Sequence, residues 1–168
     1  EDTASHSTYR PVAVYASDVN GDGITELPRA VLMAGYKDTS SSDAVYMLDW
    51  YAYGIGKVPT KVATTYQNIS DAWSLLIDQK WHDRITAIKV SDGGLSYVEF
   101  FEYRKNKMSI PLFNIYCATG SNREYYAERT DLIQLGQTTQ AIYFAKLTNE
   151  GEQSELALTG DEIKARFS

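Results

Sequence analysis

Apolar and polar residues alternate with a period of two along much of the chain, in stretches that are rich in Val and Tyr. Such alternation is typical of strands that bury one face, and Gly, Asn, Asp and Ser between the stretches are typical of turns. In the first part of the chain the pattern predicts strands at 11–16, 27–36, 44–53 and 57–66. A polar loop at 37–43 and a glycine-containing turn at 54–56 join the later strands. We therefore expect this part to consist of hairpins.

The rest of the chain combines strands with two helical segments. Ser121, followed three residues later by Glu124, resembles a capping box and predicts a short helix that ends near residue 129. Thr159, followed by acidic residues and then by basic ones, predicts a terminal helix at 159–167. The predicted strands lie at 72–77, 85–90, 95–103, 110–118, 132–135 and 141–147, and the turn Asp92-Gly93-Gly94 joins two of them. This region is therefore predicted to be α+β.

The predicted boundary between the two parts lies near Asn68, at a turn. No Pro-, Gly- or Ser-rich linker marks it. The sequence therefore predicts units at 1–67 and 68–168 that either fold separately or share one core.

Composition narrows the class of protein. The chain has 168 residues, a net charge of -6, 43% hydrophobic residues and a single cysteine. The apolar content is enough for a packed core, and one cysteine excludes a disulfide scaffold within the chain. The acidic balance argues against a surface for nucleic acid or for anionic membranes, which requires clustered Lys and Arg. No apolar run reaches the roughly 18 residues of a membrane span. We expect neither a nucleic-acid partner nor a transmembrane segment.

The strongest chemical signal is the segment Asp18-Val19-Asn20-Gly21-Asp22-Gly23-Ile24-Thr25-Glu26. It places oxygen-bearing side chains at positions one, three and five, a glycine at position six and a carboxylate at position nine, a pattern that suits Ca²⁺. Position twelve is Arg29 instead of the bidentate glutamate of an EF-hand, and Pro28 precedes a predicted strand. The loop is therefore expected to join two strands. An Asx-turn hairpin without metal is the alternative, because Asp, Asn and Gly are also ordinary turn residues.

This segment, continued through Leu27 and Pro28, resembles the calcium loop of FG-GAP or VCBS-type repeats. Those repeats are β-propeller blades of integrin α-chains and of many exported bacterial proteins, in which calcium is structural. The resemblance implies one blade-like unit over about the first 66 residues. It implies a calcium ion held by Asp18, Asn20, Asp22, Glu26 and the main-chain carbonyl of Ile24. Only one such repeat occurs, and one blade cannot close a propeller.

The second region resembles the C-terminal part of uncharacterised lipoproteins of Gram-positive gut bacteria. The resemblance rests on the segment 71–77, on Trp81 and on Pro111-Leu112-Phe113-Asn114-Ile115-Tyr116, although Asp78 stands where a proline is usual. It implies a Mog1/PsbP-like α/β/α sandwich, a fold used mainly for protein binding. The fold class expected from both resemblances is α+β: a blade-like β unit packed on an α/β/α sandwich-like antiparallel sheet with a C-terminal helix.

Aromatic residues cluster on the strand predicted at 44–53. Successive side chains of a strand point to opposite faces, so Trp50 and Tyr51 lie on different faces. Core or interdomain packing explains one aromatic face, and the other is a possible platform for a ligand such as a sugar ring. Trp50 and Tyr51 are therefore the candidate ligand platform.

Other candidates for chemistry are weaker. His82 has no Gly-x-Ser-x-Gly elbow to accompany it, and one cysteine with two distant histidines cannot form a closed zinc site. Glu99 and Glu102 stand three residues apart on a strand, so they are expected on opposite faces and not as a glycosidase pair.

The function predicted from the sequence is a non-catalytic, exported or surface-attached bacterial module, lipid-anchored in its precursor or secreted. Its partner would be a protein or a carbohydrate, and its calcium would be structural. The alternative is a sugar-binding accessory domain of a carbohydrate-active enzyme, or a hydrolytic domain.

Overall fold

A computed structural model describes residues 11–36, 43–92 and 95–168 of the chain. These residues form two antiparallel sheets of four and five strands, with two short helices. The strands are β1 (Leu27–Leu32), β2 (Tyr46–Ala52), β3 (Thr60–Asn68), β4 (Trp73–Leu76), β5 (Ile85–Asp92), β6 (Leu95–Arg104), β7 (Lys107–Thr119), β8 (Ile133–Gln137) and β9 (Ala141–Leu147). The helices are α1 (Asn122–Ala127) and α2 (Gly160–Arg166), and short 3-10 turns lie at Gln79–Trp81 and Gly151–Gln153. The prediction of a β-rich chain is confirmed.

The first sheet has the order β1-β2-β3-β4, so each strand pairs with the one before it in the chain. Leu27 lies opposite Tyr51, and Tyr51 lies opposite Lys61, next to a bulge between Trp50 and Tyr51. This register puts the start of β1 and the β2–β3 turn at the same end of the sheet.

The second sheet has the order β5-β6-β7-β9-β8. Its middle strands are long, and β7 pairs over most of its length with both β6 and β9. Helix α1 covers part of its outer face, where Tyr126 packs on Phe144 and Ile142 beside the buried Ala118. Two sheets that pack face to face bury the alternate residues of each strand whose side chains point between the sheets.

The inner faces of the two sheets form one core. Met47, Tyr66 and Leu75 of the first sheet belong to the same buried cluster as Phe100 and Ile115 of the second. The ring centroids of Tyr66 and Phe100 lie 5.4 Å apart in an edge-to-face arrangement, which favours the contact. The first sheet also continues past the boundary predicted near Asn68, because β3 ends at Asn68 and then pairs with β4. The chain therefore packs as two sheets around a shared core.

The C-terminal helix follows its sequence signals closely. The Thr159 side chain accepts a hydrogen bond from the Glu162 amide, and the Glu162 carboxylate accepts from the Thr159 amide, which is a capping box. Beyond the helix, Phe167 stacks on Trp73 with centroids 5.8 Å apart. Ser168 exchanges two backbone hydrogen bonds with Ser74, so the tail extends the first sheet beyond β4.

Some sequence predictions differ from the structure. The strand predicted at 11–16 is wrong: the Val14 amide donates to the Val12 carbonyl, a tight turn that bends the chain away from the ladder. Helix α1 forms, but Ser121 makes no side-chain cap. Most of the loop predicted at 37–43 and the glycines of the 92–94 turn lie outside the described residues.

Candidate metal centre

The predicted calcium loop lies just before β1 and is closed by an antiparallel bridge. Ser17 and Glu26 exchange two backbone hydrogen bonds, of 3.2 and 3.0 Å, so the chain leaves and returns at one point. Gly21 and Gly23 have φ values of 76° and 84°, which glycine adopts without steric cost. The local sequence therefore folds as a compact turn that joins residue 17 to the first sheet.

Asp18 organises this turn. Its Oδ1 accepts from the amides of Gly21 and Asp22, and its Oδ2 accepts from the amide of Gly23 at 2.8 Å. The hydrogen bond from Gly23 is the main reason that the pKa of the Asp18 carboxyl lies below its ordinary value. Asp18 is therefore held ionised, as a calcium ligand must be.

Asn20 and Asp22 form the middle of the turn. The Asn20 amide group donates to Asp22 Oδ2 at 2.9 Å, and the Asp22 amide donates to Asn20 Oδ1. Asp22 Oδ1 accepts from the amide of Ile24, whose side chain is half exposed. The oxygens of both side chains therefore accept hydrogen bonds from groups within the turn.

Glu26 is the unusual member of the set. It is a fully buried acid, 0% exposed, and its Oε2 accepts from the Val19 amide at 3.0 Å. Its other oxygen, Oε1, is buried and has no hydrogen-bond partner among the described residues. A buried charge without full compensation is costly, and nearly all buried polar atoms in folded proteins are paired. The loop thus holds one acidic oxygen that no described residue pairs.

The residues fit a hard cation by chemistry, but their carboxylates alone do not form a metal-binding group. Over residues 11–36, 43–92 and 95–168, no three His, Cys, Asp or Glu side chains are grouped closely enough to hold a metal ion. The predicted set also includes an amide oxygen and a main-chain carbonyl, which suit Ca²⁺ equally well. Asp18 and Asp22 would exchange hydrogen bonds to backbone amides for bonds to the ion, while Glu26 Oε1 has no hydrogen bond to give up.

A cleft of about 500 Å³ lies beside the loop, on the outer face of the first sheet. Asp18 and Val19 form one wall, Thr65 and Leu76 lie on the sheet, and the C-terminal tail closes another side at Arg166. Trp50 also lines the cleft, together with Val14, Ser17, Gln67, Ser74, Ala165, Phe167 and Ser168.

The candidate aromatic platform is mostly covered. Trp50 is 1% exposed, and its indole Nε1 donates to Thr65 Oγ1 at 2.8 Å. Tyr51 is half-buried on the opposite face of β2, so the two rings do not form one surface.

His82 lies beside a buried acid. Asp49 is buried and accepts from Lys61 and Thr64, and His82 Nε2 lies 3.7 Å from Asp49 Oδ1 but makes no hydrogen bond to the described residues. Glu99 pairs across from Ile88 and Glu102 from Ile85, three residues apart, so the two acids lie on opposite faces of the second sheet.

Glu102 is fully buried in an ion network. Burial raises its pKa, but hydrogen bonds from Arg104, Ser154 and Arg84 outweigh this effect and hold the pKa below its ordinary value. Such pairing is typical of a structural acid and leaves no free carboxylate for proton transfer.

Sequence reasoning missed the cleft. Its walls come from residues 14–19, from β2 to β4 and from the C-terminal tail, which only the folded chain brings together. The one local signal was on β3, where the polar residues Thr65 and Gln67 share the face opposite that of Tyr66.

Comparison with known proteins found no matching family model, no matching curated protein and no matching solved structure. The assignment of a role therefore depends on the loop, the cleft and the fold.

Proposed function

We propose that the chain is a non-catalytic binding module of an exported or cell-surface protein, stabilised by a calcium ion in the loop at residues 18–26. The observation that carries the proposal is the buried, unpartnered Oε1 of Glu26 beside the Asp18 turn. A divalent cation would supply the positive charge that this oxygen lacks.

Each residue of the loop would contribute a different ligand to the ion. Asp18, Asn20 and Asp22 present oxygens from the turn, Ile24 offers its carbonyl, and Glu26 approaches from the buried side. A bound calcium ion supplies only charge neutralisation and cross-linking. Because Glu26 is bridged to Ser17 and leads directly into β1, fixing the loop would fix one edge of the first sheet.

The test is thermal unfolding in calcium and in chelator. A ligand that binds only the folded state adds about 2.7 kcal/mol when its concentration is about a hundred times its Kd. For a chain of this size, that corresponds to a rise in Tm of about 5 to 10 °C. Asp22→Ala should abolish the rise, whereas Glu128→Ala, which removes an exposed acid after α1, should keep it.

A calcium-independent Tm in the unmodified chain would contradict the proposal. Magnesium is a useful second probe, because its small size and octahedral preference make it a poorer fit for a mixed seven-oxygen site. An equal shift in magnesium would point to unspecific charge screening.

The assignment to FG-GAP or VCBS-type repeats, and of the second region to a Mog1/PsbP-like sandwich of gut bacterial lipoproteins, remains part of this proposal. The two antiparallel sheets of the described residues support only the β-rich part of this assignment. The sequence upstream in the gene is the direct check. Further Asp-x-Asn-x-Asp-Gly loops and a leader with a lipid-acceptor cysteine would support it.

A second candidate, sugar binding, is favoured by the cleft. Its lining combines the Trp50 ring with hydroxyl and amide groups of Thr65, Gln67 and Ser74, the mixture of apolar and polar groups that sugars bind. Thr65 Oγ1 already accepts from Trp50 and Gln67, so its own hydrogen is left to donate. Titration with mono- and disaccharides, followed by tryptophan fluorescence, tests it. A response that Thr65→Val leaves unchanged would contradict binding in this cleft.

A further inference from the structure

We propose that calcium binding in the loop at residues 18–26 controls access to the neighbouring cleft, by fixing the cleft wall that Ser17, Asp18 and Val19 form. These three residues, called here the loop wall, line one side of the cleft. The inference rests on the proposed calcium site and adds a regulatory role to it.

The loop wall and the calcium loop share one stretch of chain. Asp18 and Val19 are the first two residues of the loop and also line the cleft. Asp18 is a predicted ligand of the ion, and Glu26, the last predicted ligand, ends the loop at the start of β1. A change in the order of the loop therefore acts directly on one side of the cleft.

Each residue of the loop wall is connected to the rest of the loop by hydrogen bonds. Ser17 exchanges two backbone hydrogen bonds with Glu26, and the Val19 amide donates to Glu26 Oε2 at 3.0 Å. Asp18 accepts from three backbone amides at residues 21–23. Two of the three residues are thus held by Glu26, so the position of the loop wall depends on this buried acid.

The charge of Glu26 makes the loop wall prone to open when no cation is bound. Its Oε1 is buried and has no partner among the described residues. Burial of an uncompensated carboxylate is unfavourable, which favours conformations in which water reaches this oxygen. In such conformations Glu26 leaves its buried position, and its hydrogen bonds to Ser17 and Val19 are lost. A cation at Oε1 binds only the closed form and stabilises it.

The other sides of the cleft are held independently of the loop. Thr65 lies on β3, which pairs with a strand on each side. In the C-terminal tail, Phe167 stacks on Trp73, and Ser168 exchanges backbone hydrogen bonds with Ser74. Segments of a protein open locally with different free energies. The loop wall is therefore the side of the cleft that calcium can control.

Trp50 reports on opening of the cleft. It lines the cleft but is only 1% exposed, so a solute reaches its ring only when neighbouring residues move. The other two tryptophans, Trp73 and Trp81, belong to the buried core. The difference in fluorescence quenching between the parent and Trp50→Phe therefore measures access to Trp50.

Quenching by acrylamide, a small neutral solute, tests the proposal. Quenching of Trp50 should be about fivefold weaker in calcium than in chelator, which is the lower end of ordinary coupling between two sites. Hydrogen exchange at the Val19 amide, followed by nuclear magnetic resonance, is a second measure that needs no substitution. It should slow by the same factor in calcium, because this amide is freed only when the loop wall leaves Glu26.

Three variants connect the effect to the loop. Asp22→Ala removes a predicted ligand outside the loop wall, so in calcium it should show the quenching and exchange that the parent shows in chelator. Glu128→Ala removes an exposed acid after α1 and is the matched control, which should respond to calcium like the parent. Val19→Ala keeps the backbone amide but shortens a side chain of the loop wall. It should bind calcium like the parent and show stronger quenching of Trp50.

Isothermal titration of the same protein with calcium distinguishes the failure of this inference from the failure of the proposed function. If calcium binds but quenching of Trp50 and exchange at Val19 are equal in calcium and in chelator, the loop does not control the cleft and the calcium site stands. If calcium does not bind, both proposals are wrong. Weaker quenching and slower exchange in calcium, both lost in Asp22→Ala, would support control of the cleft by the loop.

Discussion

At the scale of single residues, the distinctive feature of the loop is the hydrogen bonding of the Glu26 carboxylate. This carboxylate is fully buried, and within the described part of the chain only one of its oxygens has a partner. The pattern of Asp18, Asn20 and Asp22 could be read from the sequence, because their spacing suits a cation. The burial of Glu26 could not, since it depends on how the folded chain covers the start of β1.

Glu26→Gln distinguishes the effect of the buried carboxylate on stability from its contribution to calcium binding. In chelator the variant should be as stable as the parent or more stable, by about 1 kcal/mol, because a neutral amide is cheaper to bury than an unpaired carboxylate. In calcium the order should reverse, since the amide is a weaker ligand. Urea unfolding in both conditions measures the difference.

Glu155→Gln is a suitable control, because it neutralises an exposed acid at 77% side-chain exposure. Its stability relative to the parent should be the same in calcium and in chelator. A Glu26→Gln variant that is equally destabilised in both conditions would show that Glu26 has no role in cation binding.

At the scale of elements, local signals predicted most strands and both helices. The strands predicted at 44–53, 57–66 and 141–147 correspond to β2, β3 and β9, although β2 and β9 bury residues on both faces. The alternation at 11–16 failed, because the chain turns at Val12–Val14 and residues 11–16 form no strand. The alternation of residues therefore predicts that a segment can form a strand, and its contacts in the folded chain decide whether the strand forms.

The capping box of α2 is a prediction that can be tested alone. Thr159→Ala should lower the free energy of unfolding by about 1 kcal/mol, because the Glu162 amide loses its acceptor and the Glu162 carboxylate loses the hydroxyl that donates to it. The helix leads to Phe167, which stacks on Trp73, so a frayed helix also loosens the tail that closes the cleft. Equilibrium urea unfolding measures the change.

Thr159→Ser is the matched control, since serine caps a helix as well as threonine does. It should retain the stability of the parent. If Thr159→Ala has no effect, the helix is held by its packing through Ile163 and the cap is redundant.

At the scale of the whole molecule, the two sheets share one core. Sequence reasoning left open whether the units 1–67 and 68–168 are separate, because no linker marks a boundary. The contact between Tyr66 and Phe100 joins the two units, and β4 and the tail at Ser168, both from the second unit, extend the first sheet. Pairings of this kind are distant in sequence and leave no local pattern.

A shared core predicts cooperative unfolding. Signals from Trp73 in the first sheet's interface and from far-UV circular dichroism should give one transition with the same midpoint, because neither sheet keeps its buried face without the other. Two transitions with different midpoints would show that the sheets are independent units.

The central claim is that residues 18–26 bind one calcium ion when the chain is folded. Isothermal titration of chelator-treated protein with calcium measures this directly. The account predicts one site per chain, weaker by tenfold or more in Asp22→Ala and Glu26→Gln. An absence of binding at millimolar calcium, or equal binding by the parent and both variants, would contradict it.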